Sequence, residues 1–293
     1  MQYIVPASSE PLRLDVYLAQ VAQLSRSSIK AAINAGLVTV DGQAATPNLR
    51  VAPGQTITYT PAPVQTPVPR PVPDLTILYS DDDLMIIDKP AGISVHPGAG
   101  QPEVSYVSDF AATITTDHQS DRSGIVHRLD KDTSGLLMIA RTAAARQYLQ
   151  TALAERRIAK TYSALVIGRP AKDQLTIDLP LGRDPQHPLR QAVVPNGRPA
   201  VTDYEVKTIF KGYTLLEVRP QTGRTHQIRI HLAAIGHPIA GDAVYGPSTR
   251  PIGLTRQFLH AIKLELTGPS GQQISISSQL SPDLQAFLDT LQT

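Results

Sequence analysis

The chain has 293 residues, of which 41% are hydrophobic and 18% charged, enough to bury a sizeable core and at odds with a wholly disordered polymer. It has no Cys, which excludes disulfides, thiolate nucleophiles and Cys-ligated zinc. The formal net charge is only +2, so bulk charge argues for neither nucleic acid nor membrane, and an RNA-binding face must be a local patch.

Residues 1–10 lack the basic-then-apolar order of a signal peptide, and no stretch is long or apolar enough to span a bilayer. A cytoplasmic protein with no membrane partner is therefore expected. Residues 12–22 place Leu14, Leu18 and Val21 at helical spacing. Ser25 is a good N-cap ahead of a second helix over 26–35, which Gly36 ends. Residues 37–40 read as a strand with a turn at Asp41-Gly42, and 56–59 as another. The segment 61–74, PAPVQTPVPRPVPD, has prolines at 61, 63, 67, 69, 71 and 73. Proline fixes the backbone and removes a donor, so the segment is predicted to be an extended, semi-rigid linker. Its place between two periodic segments favours a linker over a docking motif for another protein.

Beyond the linker, short strands dominate. Residues 75–79 and 84–88 are apolar runs split by Asp81-Asp82-Asp83, and 136–140 is a third. Thr142 caps a helix whose stripe is Ala145, Tyr148, Leu149, Ala152 and Leu153. Strands are predicted over 162–167, 202–206 and 213–218. The pattern predicts an α+β protein: a mixed, mostly antiparallel sheet with helices packed against it, preceded by a small α/β unit. The expected domains are 1–60, the linker 61–74, and 75–293.

Three segments carry chemistry. In GIVHRLDKDTSGLL, residues 124–137, His127, Arg128, Asp130, Lys131 and Asp132 crowd between an apolar approach and an apolar strand. Polar groups on a loop between rigid elements are where sites are built. In QTGRTHQIRIHLAAIG, residues 221–236, Thr225 is an expected N-cap and Ile228, His231, Leu232 and Ile235 share one stripe. Arg229 flanks that stripe, and a partly buried Arg needs a carboxylate partner, for which Asp130 is the obvious candidate. Third, Tyr162 in Lys160-Thr161-Tyr162 offers either a half-buried ring with a wet hydroxyl or a flat face on which a base stacks.

RLDVYLAQ, LSRSSIKAAINAGLVTVDG and VAPGQTITY, over about residues 10–60, resemble an S4 domain, a small RNA-binding module. The resemblance assigns RNA contact to Arg13, Arg26 and Lys30, with Arg50 nearby. HRLDKDTSGLL resembles the signature of the RluA family of pseudouridine synthases. DKPAGISVHP, KTYSALV, GRPAVTDYEV, TGRTHQIRIHLAAIGHPIAGDAVYG and QFLHAIKLEL extend the likeness in collinear order through nearly everything after the linker. The S4-like unit ahead matches the domain order of the family's ribosomal members.

The resemblance implies an isomerase that detaches uracil from C1′ of its ribose, rotates it and rejoins it through carbon. By position it implies Asp130 as the catalytic carboxylate, Tyr162 as the stacking ring and Arg229 as the basic partner of the Asp. Ile228, Arg128 and His127 are assigned to substrate binding. The target base is flipped out of its stack before reaction. No cofactor is demanded, and His226, His231 and His237 follow no zinc spacing, so no metal is expected. The expected partner is RNA, ribosomal RNA of the large subunit first, with no obligate protein partner and a monomeric state. Rival readings are a synthase acting on transfer RNA, a non-catalytic assembly factor, and a hydrolase using a His127–Asp130 dyad. The likeness weakens over 97–124, where no clear apolar helix is read, over 182–197 and over 263–271.

Overall fold

The computed structural model describes residues 1–7, 11–22, 24, 26–61, 75–95, 106–116, 124–187, 190–249 and 251–292. Ser25 and linker residues 62–74 lie outside the described residues. The chain divides into two units, Met1–Pro71 and Val72–Thr293.

The first unit runs β1 (Gln2–Ile4), β2 (Leu12–Arg13), α1 (Leu14–Val21), α2 (Arg26–Asn34), β3 (Val38–Val40), β4 (Gln43–Ala44), β5 (Arg50–Val51) and β6 (Thr56–Tyr59). Its antiparallel sheet has the order β1-β6-β3-β4, and β2 pairs with β5. The first helix starts two residues later than its periodicity suggests, because Leu12 and Arg13 are drawn into pairing with Val51 and Arg50. Asp41 (φ 50°) and Gly42 (φ 80°) are both left-handed, which suits the two-residue turn joining β3 to β4. Leu14, Leu18, Ile29, Ile33, Val38 and Ile57 form the core.

The second unit runs β7 (Thr76–Ser80), β8 (Leu84–Lys89), α3 (Tyr106–Ile114), β9 (Ser134–Ala140), α4 (Ala143–Ala154), β10 (Ala159–Ile167), β11 (Gln174–Asp178), β12 (Leu181–Arg183), β13 (Gln191–Val193), β14 (Val201–Phe210), β15 (Tyr213–Pro220), α5 (Gln227–Ala234), β16 (Leu259–Thr267), β17 (Gln273–Ser277) and α6 (Pro282–Asp289). Among the described residues, nine strands form one sheet, β11-β14-β15-β10-β16-β9-β8-β7, with β17 on the far half of β16. Its pairings are antiparallel except where β16 meets β9 through His260↔Ser134 and Ala261↔Gly135. Every residue of β9 is buried, as expected of a central strand, and each fully buried Leu or Ile contributes about 1.5–3 kcal/mol. Thr142 caps α4 by accepting from the Ala145 amide at 3.0 Å, and Ala145, Leu149 and Ala152 bury the stripe read from the sequence.

Two elements differ from the sequence reading. Helix α3 lies in the region where no apolar helix was read, and it buries Val107 and Ala111, one turn apart. The N-cap of α5 is His226 (φ 55°), not Thr225, and no side chain caps it. The buried Gln227 carboxamide instead fixes the turn that precedes the helix, accepting from the Arg224 amide at 3.0 Å and the Thr222 hydroxyl at 2.7 Å. It donates to Val201 O and Thr202 Oγ1, both at 2.9 Å, tying the turn before α5 to β14. No helix among the described residues is long and apolar enough to cross a membrane.

Candidate active site

Asp130 lies on the turn that leads into β9, where that strand meets β16 in the middle of the sheet. Gly135 is required there. It has φ 108°, and a Cβ on it would lie 2.3 Å from the Ala261 carbonyl oxygen. The turn's carbonyls are pinned one by one. Asp130 O accepts from the Thr133 amide (3.1 Å), Lys131 O from the Gly92 amide (2.9 Å) and Lys89 Nζ (3.1 Å), and Asp132 O from Arg256 Nη1 (2.9 Å). Arg256 is fixed in turn by Asp283 on α6, at 2.7 and 3.0 Å. Lys89 is fully buried and also donates to Pro90 O and Ile93 O. Burial lowers its pKa to about 7, against the pull of Asp132 and Asp130. A turn held this way presents the Asp130 carboxylate with little freedom.

Arg229 comes from α5, on which all positions from Gln227 to Leu232 are buried. Its Nε and Nη2 bind both oxygens of Asp242, at 2.6 and 2.8 Å, which leaves Nη1 to donate to Asp130 Oδ2 at 3.1 Å. The Asp242 side chain is 0% exposed and also accepts from the Val244 and Tyr245 amides, at 2.8 and 3.0 Å. Burial alone would lower the Arg229 pKa, but the two carboxylates outweigh it and raise it, so the guanidinium stays charged. The sequence reading paired Arg229 with Asp130 alone; Asp242 is the residue it missed. In HPIAGDAVYG an Asp after Gly reads as a turn former, and only its complete burial reveals an ion pair. His226 stands at the N-cap of α5, beside Asp130 and Tyr245. Its Nε2 lies 3.9 Å from Asp130 Oδ1, and its Nδ1 is 2.9 Å from Tyr245 Oη.

Asp130, Tyr162, Arg229, Ile228, His127 and Arg128 all line one cavity of about 700 Å³, so the residues predicted for the site converge. Tyr162 is buried on β10, and its hydroxyl has no hydrogen-bond partner among the described residues. Burial first, and the Asp130 charge second, push its pKa well above the usual phenol value. Ile228 is 6% exposed beside Arg229, whereas Arg128 is exposed and has no ion-pair partner among the described residues. His127 lines the cavity and is also engaged by the backbone. Its Nε2 accepts the Met138 amide at 2.9 Å, and burial lowers its pKa to about 3. Its Nε2 thus holds the strand after the turn, and among the described residues it makes no hydrogen bond to Asp130 of the kind a His127–Asp130 dyad needs.

In the first unit, Arg13, Arg26 and Lys30 converge on one buried carboxylate, Asp15, at 2.9, 3.1 and 3.6 Å. Hydrogen bonds from Arg13 and Arg26 hold Asp15 well below the usual carboxylate range against its burial. All three cations keep 40–56% of their side chains exposed, so the patch is anchored from below and open above.

Residues 83–234 match the RNA pseudouridylate synthase family, and residues 12–57 match the S4 domain. A ribosomal large subunit pseudouridine synthase D from Nitrosomonas europaea is 44% identical over 99% of this chain and 88% of its own length. An uncharacterized RNA pseudouridine synthase from Chloroflexus aurantiacus is 46% identical over 99% of this chain and 93% of its own. Among solved structures, human RNA pseudouridylate synthase domain containing 1 superposes with a TM-score of 0.58 at 26% identity, over 74% of this chain and 89% of that one. The chain belongs to the RNA pseudouridylate synthase family, isomerases that convert uridine in RNA to pseudouridine, and carries an S4 RNA-binding domain ahead of the synthase domain.

Proposed function

We propose that this chain isomerises specific uridines of large-subunit ribosomal RNA, with Asp130 as the catalytic carboxylate acting on a flipped-out nucleotide. The observation that carries this reading is the pairing of Asp130 with Arg229 in a cavity roomy enough for a nucleotide and walled by Tyr162. The ribosomal substrate is supported by the activity for which full-length relatives from Nitrosomonas europaea, Xanthomonas campestris and Vibrio vulnificus are named.

The reaction breaks the N1–C1′ bond, forms a C5–C1′ bond and moves a proton from C5 to N1, so nothing is oxidised. An ionised carboxylate starts it, by attacking C1′ or by taking the C2′ proton. Arg229 aims Asp130 and offsets the repulsion between that carboxylate and RNA phosphates. Flipping costs a few kcal/mol, which stacking on Tyr162 partly offsets. Tyr162→Ala is expected to weaken RNA binding by about 1–3 kcal/mol, while Tyr162→Phe stays within a few tenths, since its hydroxyl has no partner to lose among the described residues. Filter-binding titrations on the two variants check this, and equal losses would refute the stacking role.

The protein is expected to be monomeric and to need no protein partner. Arg13, Arg26 and Lys30 are assigned to RNA contact. Their joint replacement by Ala should weaken binding and flatten the dependence of affinity on salt by up to about one unit of slope per lost phosphate contact. Affinity titrations from low to high salt read this out, and an unchanged slope would remove the patch from the interface. The function itself is tested by incubating the protein with an unmodified transcript of large-subunit ribosomal RNA and mapping pseudouridine chemically. Discrete modified sites are expected. Silence there, with modification of transfer RNA, would move the substrate, and silence on both with tight binding would leave an assembly factor.

A further inference from the structure

The buried cations Lys89, Arg229 and Arg256 have carbonyl or carboxylate partners at hydrogen-bond distance. Lys160 does not. It heads β10 two residues before Tyr162, and among the described residues no carboxylate, carbonyl or hydroxyl bonds its ammonium. Its partial burial lowers its pKa. A partly buried ammonium with no counter-charge from the protein keeps its access to the cavity and is placed to meet an anion that arrives there.

The place of Lys160 suggests which anion. It lines the same cavity as Asp130, and a Cβ on Gly223 would lie 3.9 Å from its Nζ with nothing else within 4 Å. The turn at Gly223, which carries no side chain, thus runs past the ammonium and leaves it reachable. The cavity wall carries Arg128, Arg156, Lys160, Arg219, Arg224 and Arg229 against a single carboxylate, Asp130. Some of these charges are already engaged: Arg229 by Asp242, Arg219 by Glu217 and Glu205, and Arg224 by Pro199 O. Arg128 is exposed, whereas Lys160 is partly buried in the cavity wall. The uracil ring is neutral before reaction, so the anion a bound nucleotide brings into the cavity is its phosphodiester.

We propose that Lys160 binds a backbone phosphate flanking the flipped nucleotide and so registers the substrate strand against Tyr162 and Asp130. The inference rests on the reading of this cavity as the RNA site. A compact point charge suits a phosphate, and pairing is stronger in a partly buried cavity than at an exposed surface.

The test compares Lys160→Met and Lys160→Arg in the Asp130→Asn background, where the RNA stays unmodified, using a large-subunit ribosomal RNA transcript as probe. Lys160→Met should bind about tenfold more weakly, with the slope of log affinity against log salt shallower by about 0.7–1. Its melting temperature should equal or exceed that of the parent, because an apolar side chain replaces an unpaired ammonium. Lys160→Arg should recover most of the slope. With Asp130 intact, Lys160→Met should raise KM far more than it lowers kcat. An unchanged slope with a lowered kcat would place Lys160 on the departing uracil and overturn the proposal. An unchanged slope with a lowered melting temperature would make it structural and overturn it too. If the Asp130→Asn parent binds no RNA, the reading of the cavity fails as well; if the parent binds and Lys160→Met binds identically, only the inference about Lys160 fails.

Discussion

Asp130→Asn is expected to abolish pseudouridine formation, by about 10³-fold or more, while leaving the fold and RNA affinity nearly intact. The stability half of this expectation follows from the geometry. Arg229 is held twice by Asp242 and only once, through Nη1, by Asp130. The introduced carboxamide keeps an oxygen that can accept from Nη1, so the change should stay within about 1 kcal/mol. Affinity should hold or rise, because a negative charge has been removed from beside RNA phosphates. The activity half follows from chemistry: an amide neither attacks a sugar carbon nor accepts a proton from one. Asp130→Glu separates charge from position. It keeps the carboxylate but moves it by one methylene against a turn whose carbonyls are pinned by Lys89, Gly92 and Arg256, and should lose about 10²-fold. Single-turnover conversion of a ribosomal transcript, with melting curves alongside, checks both variants. Activity of Asp130→Asn within tenfold of the parent would remove Asp130 from the chemistry.

The parts of the fold legible in the sequence are those whose signal is local. Helix α4 has a Thr cap and a clean stripe, and β8, β9, β10, β14 and β15 are apolar or alternating runs. Strand β16 carries no clean local signal although it lies in the centre of the sheet, because His260, Lys263 and Glu265 interrupt it. The structure reconciles His260 with burial by giving both ring nitrogens hydroxyl partners, Ser134 at 2.8 Å and Ser278 at 3.2 Å. Those partners lie 126 and 18 residues away, and no window on one strand contains them. Helix α3 was hidden because its stripe is short and polar residues flank it.

The site divides in the same way. Asp130, Tyr162 and Arg229 stood out by motif and resemblance, and they line one cavity. What could not be read is which charges are already spoken for: that Asp242 holds Arg229, that Met138 engages His127, and that nothing among the described residues engages Lys160. Pairing is a property of the packed molecule. A residue type announces that a charge is present, and only tertiary contacts decide whether it is available.

Asp242→Asn should therefore damage stability and catalysis together, unlike Asp130→Asn. Asp242 is buried and accepts four hydrogen bonds, two from Arg229 and two from the Val244 and Tyr245 amides. An Asn there directs an NH₂ toward a donor and leaves a buried guanidinium short of its counter-charge, a loss of about 3–5 kcal/mol. Arg229 would then turn wholly to Asp130 or swing away, and either movement misplaces the catalytic carboxylate, so kcat should fall while RNA affinity changes little. The pH dependence gives an independent check. Burial raises the Asp242 pKa, but Arg229 and the two amides outweigh it, so the folded value lies below the unfolded one of about 3.9. Stability from this group is therefore fully present above about pH 4 and is lost as pH falls through the lower folded value. Urea unfolding at neutral pH should separate wild type and Asp242→Asn by the full amount, and the gap should narrow only below about pH 4. A gap that stays constant into acid would show that the charge of Asp242 is not what stabilises the pair. Replacing both partners with apolar residues, Arg229→Met with Asp242→Leu, should recover much of the lost stability without restoring turnover. That outcome would show that the buried pair is retained for aiming Asp130, and a stable, active double variant would show that Asp130 needs no such support.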